Sequence, residues 1–209
     1  RVAAPRCAVP RAVRVQHIRC LNRLLLEPNE CKLTHDGCVV ALLPHDDTRV
    51  EHVRNVLRAR EGEGLRVGVL DGGACEASVA WVPAEDEDGP RNLRLTIGDV
   101  SVLRSIDEAH RPRIDLLLAM PRPLQFARLL PAVASLGVRH IWITGAARVE
   151  KSYFSSHLLR AEKAAELRAT LVEGLAQAGD TAVPTLAALV CYLPLGQRVA
   201  GMSRKSWSC

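Results

Sequence analysis

IDLLLAMPRPLQFARLLPAVASLGVRHIWIT, residues 114–144, changes its hydrophobic period twice. IDLLLAM is a short continuous apolar run, the pattern of a parallel strand covered on both faces. PLQFARLLPAVASLG then sets Phe126, Leu129, Leu130, Val133 and Leu136 along one helical stripe, with Gly137 as the C-terminal stop. Pro131 falls inside that stripe and predicts a bend or a shifted helix start, because its ring removes the N–H that an interior position donates. VRHIWIT is the next strand. A long helix is expected from about His157 to Ala178, with Ala164, Leu167, Leu171 and Leu175 inward; Gly179 ends it, and a last apolar run follows Pro184. Strand, helix, strand, helix, strand predicts a parallel α/β sheet. No internal repeat is evident.

Upstream, the period is shorter. LNRLLL, CVVALL, GLRVGVLDGG and CEASVAWV are runs of four to eight apolar or alternating residues bounded by Gly, Pro, Asp or Asn, and they read as strands. Between them DDTRVEHVRNVLRA carries Val50, Val53, Val56 and Leu57 at helical spacing, with Asp46 or Asp47 as N-cap. This is a small β-rich domain with one helix. PAEDEDGPRN, with four consecutive acids between prolines, reads as a solvated linker and sets a domain boundary within residues 83–112. LRLTIGDVSVL, residues 93–103, alternates like a strand and is expected to close the first domain as its edge.

The composition, 48% apolar and 24% charged, is that of an ordinary globular protein, and no apolar run approaches the ~20 residues of a membrane helix. The net charge of +5 is concentrated. Residues 1–26 hold six arginines and no acid, which leaves 22 basic against 23 acidic groups elsewhere. An arginine-rich, acid-free leader at 1–18 resembles an organelle transit peptide, chloroplast in preference to mitochondrion, although it contains no serine; a plain basic tail in a cytoplasmic protein is the alternative.

Seven cysteines without a C-x-x-C pair do not make a disulfide framework, and a reducing compartment is expected. Cys31, His35, Cys38 and His45 are the one cluster with metal-ligating residue types. Their spacing matches no common zinc knuckle, so no metal is expected and the two thiols read as buried.

GAARVEKS, residues 145–152, follows the HIWIT strand and matches the phosphate-binding pattern G-x-x-x-x-G-K-[ST] except at Glu150. That exception is decisive. A phosphate cradle needs glycine there so that backbone N–H groups approach closely, and a carboxylate facing phosphate costs about 4 kcal/mol per charge pair at ~4 Å near a surface. A nucleotide-hydrolysing enzyme is therefore a minor alternative. Arg148, Lys151 and Tyr153 would instead lie at the C-terminal end of a parallel strand, where α/β sheets place ligands. Cations with an interleaved aromatic suit a phosphate backbone and a stacked base; on residue types alone a solvated loop pinned by Tyr153 and Phe154 is the favoured alternative. Arg54 and Arg58, four apart on the first domain's helix, and Arg60 at its end form a second basic patch.

The order EHVRNVLRAREGEGLRVGVLDGG, IDLLLAMPRP, LLPAVASLGVRHIWITGAARVEKSYF and LVEGLAQAGDTAVPTL resembles the small-subunit ribosomal RNA uridine-N3 methyltransferase family, over about Arg19 to Leu186. The resemblance implies an N-terminal PUA-like β-barrel at 19–104 that helps hold RNA, a linker at 105–112, and a SPOUT-type parallel α/β domain at 113–187. It also implies S-adenosylmethionine as cofactor, small-subunit rRNA as partner and a homodimer. On this analogy Arg54 and Arg58 belong to the RNA-binding barrel, and Arg122, Arg148, Lys151 and Tyr153 border the RNA cleft. Glu173 and Gln177 match the family's Glu-x-x-x-Gln.

The sequence also departs from the family. Its Gly-Pro-Glu-Gly-Gly loop and Gly-Pro-Arg-x-Leu-Arg segment, which together form the knot and the cofactor pocket, do not follow Leu186. GPRNLRLT at 89–96 mimics the second in letters only, and residues 188–209 read as an atypical tail. The expectation is thus a partial SPOUT domain, knot segment missing, with no assigned cofactor-binding or catalytic residue and weak cofactor binding. A non-catalytic RNA-binding remnant is the alternative to an active methyltransferase.

Overall fold

The computed structural model describes residues 23–84, 89–107, 111, 114–156, 159, 161–192 and 205–206. The leader expected at 1–18 and most of the expected tail lie outside them. The chain divides into two units between Ile106 and Asp107.

In the first unit, β1 (Leu24–Leu26), β2 (Cys31–Leu33), β3 (Val39–Leu43), β4 (Gly64–Val69), β5 (Ala74–Pro83) and β6 (Arg91–Ile97) form one mixed sheet in the order β1-β4-β5-β6-β3-β2. The β1–β4 pair is parallel and the others are antiparallel. Alternation puts Val39, Ala41 and Leu43 of β3 and Leu93, Leu95 and Ile97 of β6 on the inner face, all 1% exposed or less.

Two expectations change here. β6 is not the closing edge: it lies between β5 and β3, ends at Ile97, and is followed by a 3-10 turn over Val100–Leu103. Asp99 starts that turn by accepting the Ser101 N–H, so the alternation continuing past Gly98 belongs to a separate element. The acidic stretch is not an interdomain linker either. Pro83 pairs with Arg91 and the Ala84 N–H donates to the Pro90 carbonyl, so the chain on both sides of residues 85–88 is one β-hairpin arm of the first unit. GPRNLRLT accordingly contributes its last residues to β6.

The helix of this unit is α1 (Thr48–His52), extended by one π-helical turn over Val53–Leu57. Asp47 is its N-cap and accepts the Arg49 N–H at 2.7 Å. The wide turn adds a residue to the repeat. The buried stripe therefore runs through Val50 and Val53 to the half-buried Leu57, and Val56 is turned out at 60% exposure, against the sequence expectation.

The second unit carries β7 (Asp115–Ala119), α2 (Pro123–Ser135), β8 (His140–Gly145), α3 (Ala164–Ala178), β9 (Thr185–Tyr192) and β10 (Lys205–Ser206). β7, β8 and β9 are parallel neighbours, and β10 pairs antiparallel with β9. Residues 188–192 of the expected tail thus complete a strand.

α2 begins with Pro123 at its first position, where no N–H is needed, and continues through Pro131 without interruption. Its buried face is Phe126, Leu130, Val133 and Ala134, whereas Leu129 and Leu136 of the expected stripe are 37% and 74% exposed. α3 starts at Ala164, later than expected, after 3-10 turns over Lys151–Ser155 and Ala161–Lys163. Leu167, Leu171 and Leu175 face inward, and Gly179 closes the helix at φ +72°, a conformation that costs glycine little. Gly174 lies against Pro131, which lets the two helices approach at backbone distance.

Candidate functional site

Parallel strands deliver all their outgoing loops to one edge. At the carboxyl edge of the second unit's sheet, β7 leads through Met120, Pro121 and Arg122 into α2, and β8 leads through Gly145–Glu150 into the 3-10 turn. The Met120 N–H donates to the Thr144 carbonyl at 2.9 Å, which ties the first connection to the end of β8. Arg122 precedes α2 and is exposed; its carbonyl accepts the N–H groups of Gln125 and Phe126.

The second connection is folded on itself. The Val149 N–H donates to the Ala146 carbonyl at 3.0 Å, and the Tyr153 N–H to the Glu150 carbonyl at 3.1 Å. The Glu150 carboxylate accepts the Ser152 hydroxyl at 3.3 Å. Arg148 and Lys151 are exposed, Tyr153 and Phe154 half-buried. A phosphate-binding loop feeds directly into an α-helix whose N–H groups converge on the ligand. Here the residues after Glu150 form a 3-10 turn, and the position that needs glycine holds an acid engaged with Ser152.

Arg122, Arg148, Lys151 and Tyr153 therefore stand on two connections that leave the same edge of adjacent strands. Glu173 and Gln177 do not join them. Both are exposed and lie in the C-terminal half of α3, which returns toward the opposite, amino edge where β9 begins.

In the first unit, Arg54 and Arg58 do not form a helical pair. Arg58 ends the π turn in the left-handed conformation, φ +53°, which takes it off the helix surface. Arg54 Nη2 donates to the Arg91 carbonyl at 2.7 Å, and its guanidinium lies 5.1 Å from the centre of the Trp81 ring. The Trp81 indole N–H donates to the Ala59 carbonyl at 3.0 Å.

Two clusters escaped the sequence reading. Arg49 binds the carboxylates of Glu30 and Asp47 and the Leu25 carbonyl, joining β1, the turn before β2 and the start of α1. Burial pushes Glu30 and Asp47 upward, but the Arg49 hydrogen bonds and charge outweigh it and hold both below their ordinary values. Only the spacing of Asp47 and Arg49 was visible locally. On the second unit's sheet, His140 Nδ1 is 2.8 Å from Asp115 and its ring stacks on Trp142; no sequence signal linked Asp115 to His140.

Cys38 is buried but disulfide-bonded, and Cys31 is a free thiol that is only half-buried, so the reading of two buried thiols holds for neither. Among the described residues no group of three or more His, Cys, Asp or Glu is arranged to hold a metal ion, and no helix is long and apolar enough to cross a membrane.

Residues 108–195 match the family model of an RNA methyltransferase domain. A curated relative, ribosomal RNA small subunit methyltransferase E of Treponema pallidum, is 31% identical over 168 residues, 79% of this chain and 56% of that protein. Among solved structures, the ribosomal RNA small subunit methyltransferase E of Neisseria gonorrhoeae bound to S-adenosyl methionine aligns with a TM-score of 0.51 at 17% identity, over 80% of this chain and 62% of that one. The last likeness is one of fold: a mixed sheet followed by a parallel sheet with helices. The chain thus spans little more than half the length of the relatives it matches, and the resemblance carried by LAMPRP, VEKSYF and EGLAQAGDT agrees with them.

Proposed function

We propose that the chain acts in methyl transfer from S-adenosylmethionine to N3 of a uridine in small-subunit ribosomal RNA, and that it does so as a homodimer. The observation that carries this is the 31% identity to the Treponema methyltransferase across 168 residues, together with the domain match over 108–195. The order of the two sheets supports a PUA-like first unit and a SPOUT-type second one. The arginine-rich leader supports an organellar, chloroplast address.

The carboxyl edge of the second sheet supplies the RNA side of the site. Exposed Arg122, Arg148 and Lys151 suit phosphate oxygens, and the half-buried Tyr153 ring can hold an unpaired base against them. The cofactor side is different. A sulfonium donor is cationic and needs acidic or carbonyl partners and an apolar slot for adenine. The described residues of this edge offer three cations and one acid, Glu150, which is engaged with Ser152. They do not fit the donor, and none of them is placed to take the N3 proton.

That misfit favours a second reading, a non-catalytic RNA-binding protein of the same fold. One experiment separates the two. Small ribosomal subunits lacking the modification are incubated with the protein and methyl-labelled S-adenosylmethionine, and RNA retention and N3-methyluridine are both measured. Retention with label at N3 supports the enzyme; retention without label supports the binding protein; neither outcome in the same assay removes both.

A further inference from the structure

Arg54 is exposed, yet its guanidinium is fixed in place. Its Cζ lies over Trp81 at 5.1 Å from the ring centre, within the range of a cation–π contact, and Nη2 donates to the carbonyl of Arg91 at 2.7 Å. Trp81 is itself held, half-buried against the core of the first unit, with its indole N–H on the Ala59 carbonyl and its backbone N–H on Glu61 at 2.8 Å. The layers from inside outward are core, indole and guanidinium. Among the described residues no carboxylate forms an ion pair with Arg54. Arg58, next to Ala59, and Arg91 are both exposed at this same end of the sheet.

A surface arginine that serves only as a point charge has no need of a planar support, since its flexible side chain reaches a phosphate unaided. A support matters when the plane itself is the binding surface, because ordering the fork beforehand removes that cost from association. Unpaired RNA bases are stacked by proteins on aromatic rings or on arginine planes, whereas the bases of a duplex already have both faces covered. The Trp81 face is occupied by Arg54, so the available plane is the guanidinium.

We propose that the outward plane of the Arg54 guanidinium, backed by Trp81 and aligned by the Arg91 carbonyl, stacks an unpaired nucleobase of single-stranded RNA, with Arg58 and Arg91 contacting the flanking phosphates. The proposal rests on the reading of the chain as an RNA-modifying or RNA-binding protein, and it names a base contact within it.

The test uses the full chain and a short fluorescein-labelled RNA, presented single-stranded, annealed to its complement, and as an abasic strand of equal charge. The wild-type protein is expected to prefer the single strand. Arg54→Lys, which keeps the charge and loses the plane, is expected to weaken that binding about tenfold, within the range of one base–aromatic stack, while duplex and abasic binding stay unchanged. Trp81→Phe retains a ring behind the guanidinium and is expected to keep the preference. Equal binding of the single strand by Arg54→Lys and wild type, or equal wild-type affinity for the abasic and normal strands, overturns the proposal and leaves the RNA-binding reading standing. Absence of wild-type binding to any of the three RNAs removes that reading and this proposal with it. The abasic comparison needs no substitution, so it stands even where a variant fails to fold.

Discussion

Gly174 of α3 packs on the backbone of Pro131 in α2: a methyl group at position 174 would overlap the Pro131 carbonyl oxygen and stand 2.8 Å from its Cα. Both partners are main-chain atoms, so no side chain can turn aside to make room. Pro131 already lacks the N–H of an interior helical position, and the helix tolerates it in this contact.

Gly174→Ala is therefore expected to destabilise the second unit, despite alanine's better helix propensity, by about 1–3 kcal/mol. Urea denaturation followed by the fluorescence of Trp142 reports it. A variant as stable as wild type would show that the helices separate without cost.

Arg49 joins three segments of the first unit through Glu30, Asp47 and the Leu25 carbonyl. Its side chain keeps 31% exposure, which screens part of the interaction. Arg49→Ala is expected to cost about 1–3 kcal/mol at neutral pH. Both carboxylates have folded-state pKa values below their ordinary 4.5 and 3.8, so the folded state binds fewer protons than the unfolded one. The clamp's contribution is thus complete above those values and fades as pH falls through the lowered ones. Denaturation midpoints measured from pH 7 downward are expected to show the variant and wild type converging only once the pH falls below the ordinary carboxylate range.

The Cys75 thiol is pushed up to about 11, first by burial and then by the Asp99 charge. A thiol whose folded pKa exceeds its ordinary 9.0 contributes stability that is complete below that value and is lost as pH rises toward 11. Cys75→Ala is expected to be less sensitive to alkaline pH than wild type. Iodoacetamide labelling mapped by mass spectrometry is expected to modify Cys75 slowly at pH 8 and rapidly once urea unfolds the chain, because the thiolate is the nucleophile.

Arg122 and Arg148 lie on neighbouring loops of one sheet edge. If each meets a phosphate, Arg122→Ala and Arg148→Ala weaken RNA binding across sequences without changing preference, and each reduces the slope of log affinity against log salt by roughly one. Filter binding over a range of salt concentrations checks this. An unchanged slope for both would place the RNA elsewhere.

Most strands and helices of both units were legible in the periodicity of the sequence, because that pattern records which side of each segment meets a core; the short β2 and β10 were not. The carboxyl edge was legible in part: the strand–helix order placed the Arg148–Tyr153 loop there, whereas Arg122 was named only through the family resemblance. The pairing of Arg54 with Trp81 was not legible. Those residues are 27 positions apart in sequence and meet only in the folded chain, as Arg49 meets Glu30 and His140 meets Asp115.

By itself the sequence determined most of the elements, the change from a β-rich to an α/β half, and the motifs that carry the family resemblance. These are set by local spacing and by the order of short motifs, both of which survive without coordinates. Tertiary structure alone decided that β6 is a central strand, that α1 widens into a π turn and exposes Val56, that α2 continues through Pro131 and meets Gly174 there, and which arginines are already engaged. Each depends on contacts between segments distant in the chain, where packing and hydrogen-bond satisfaction override the preference of any single window.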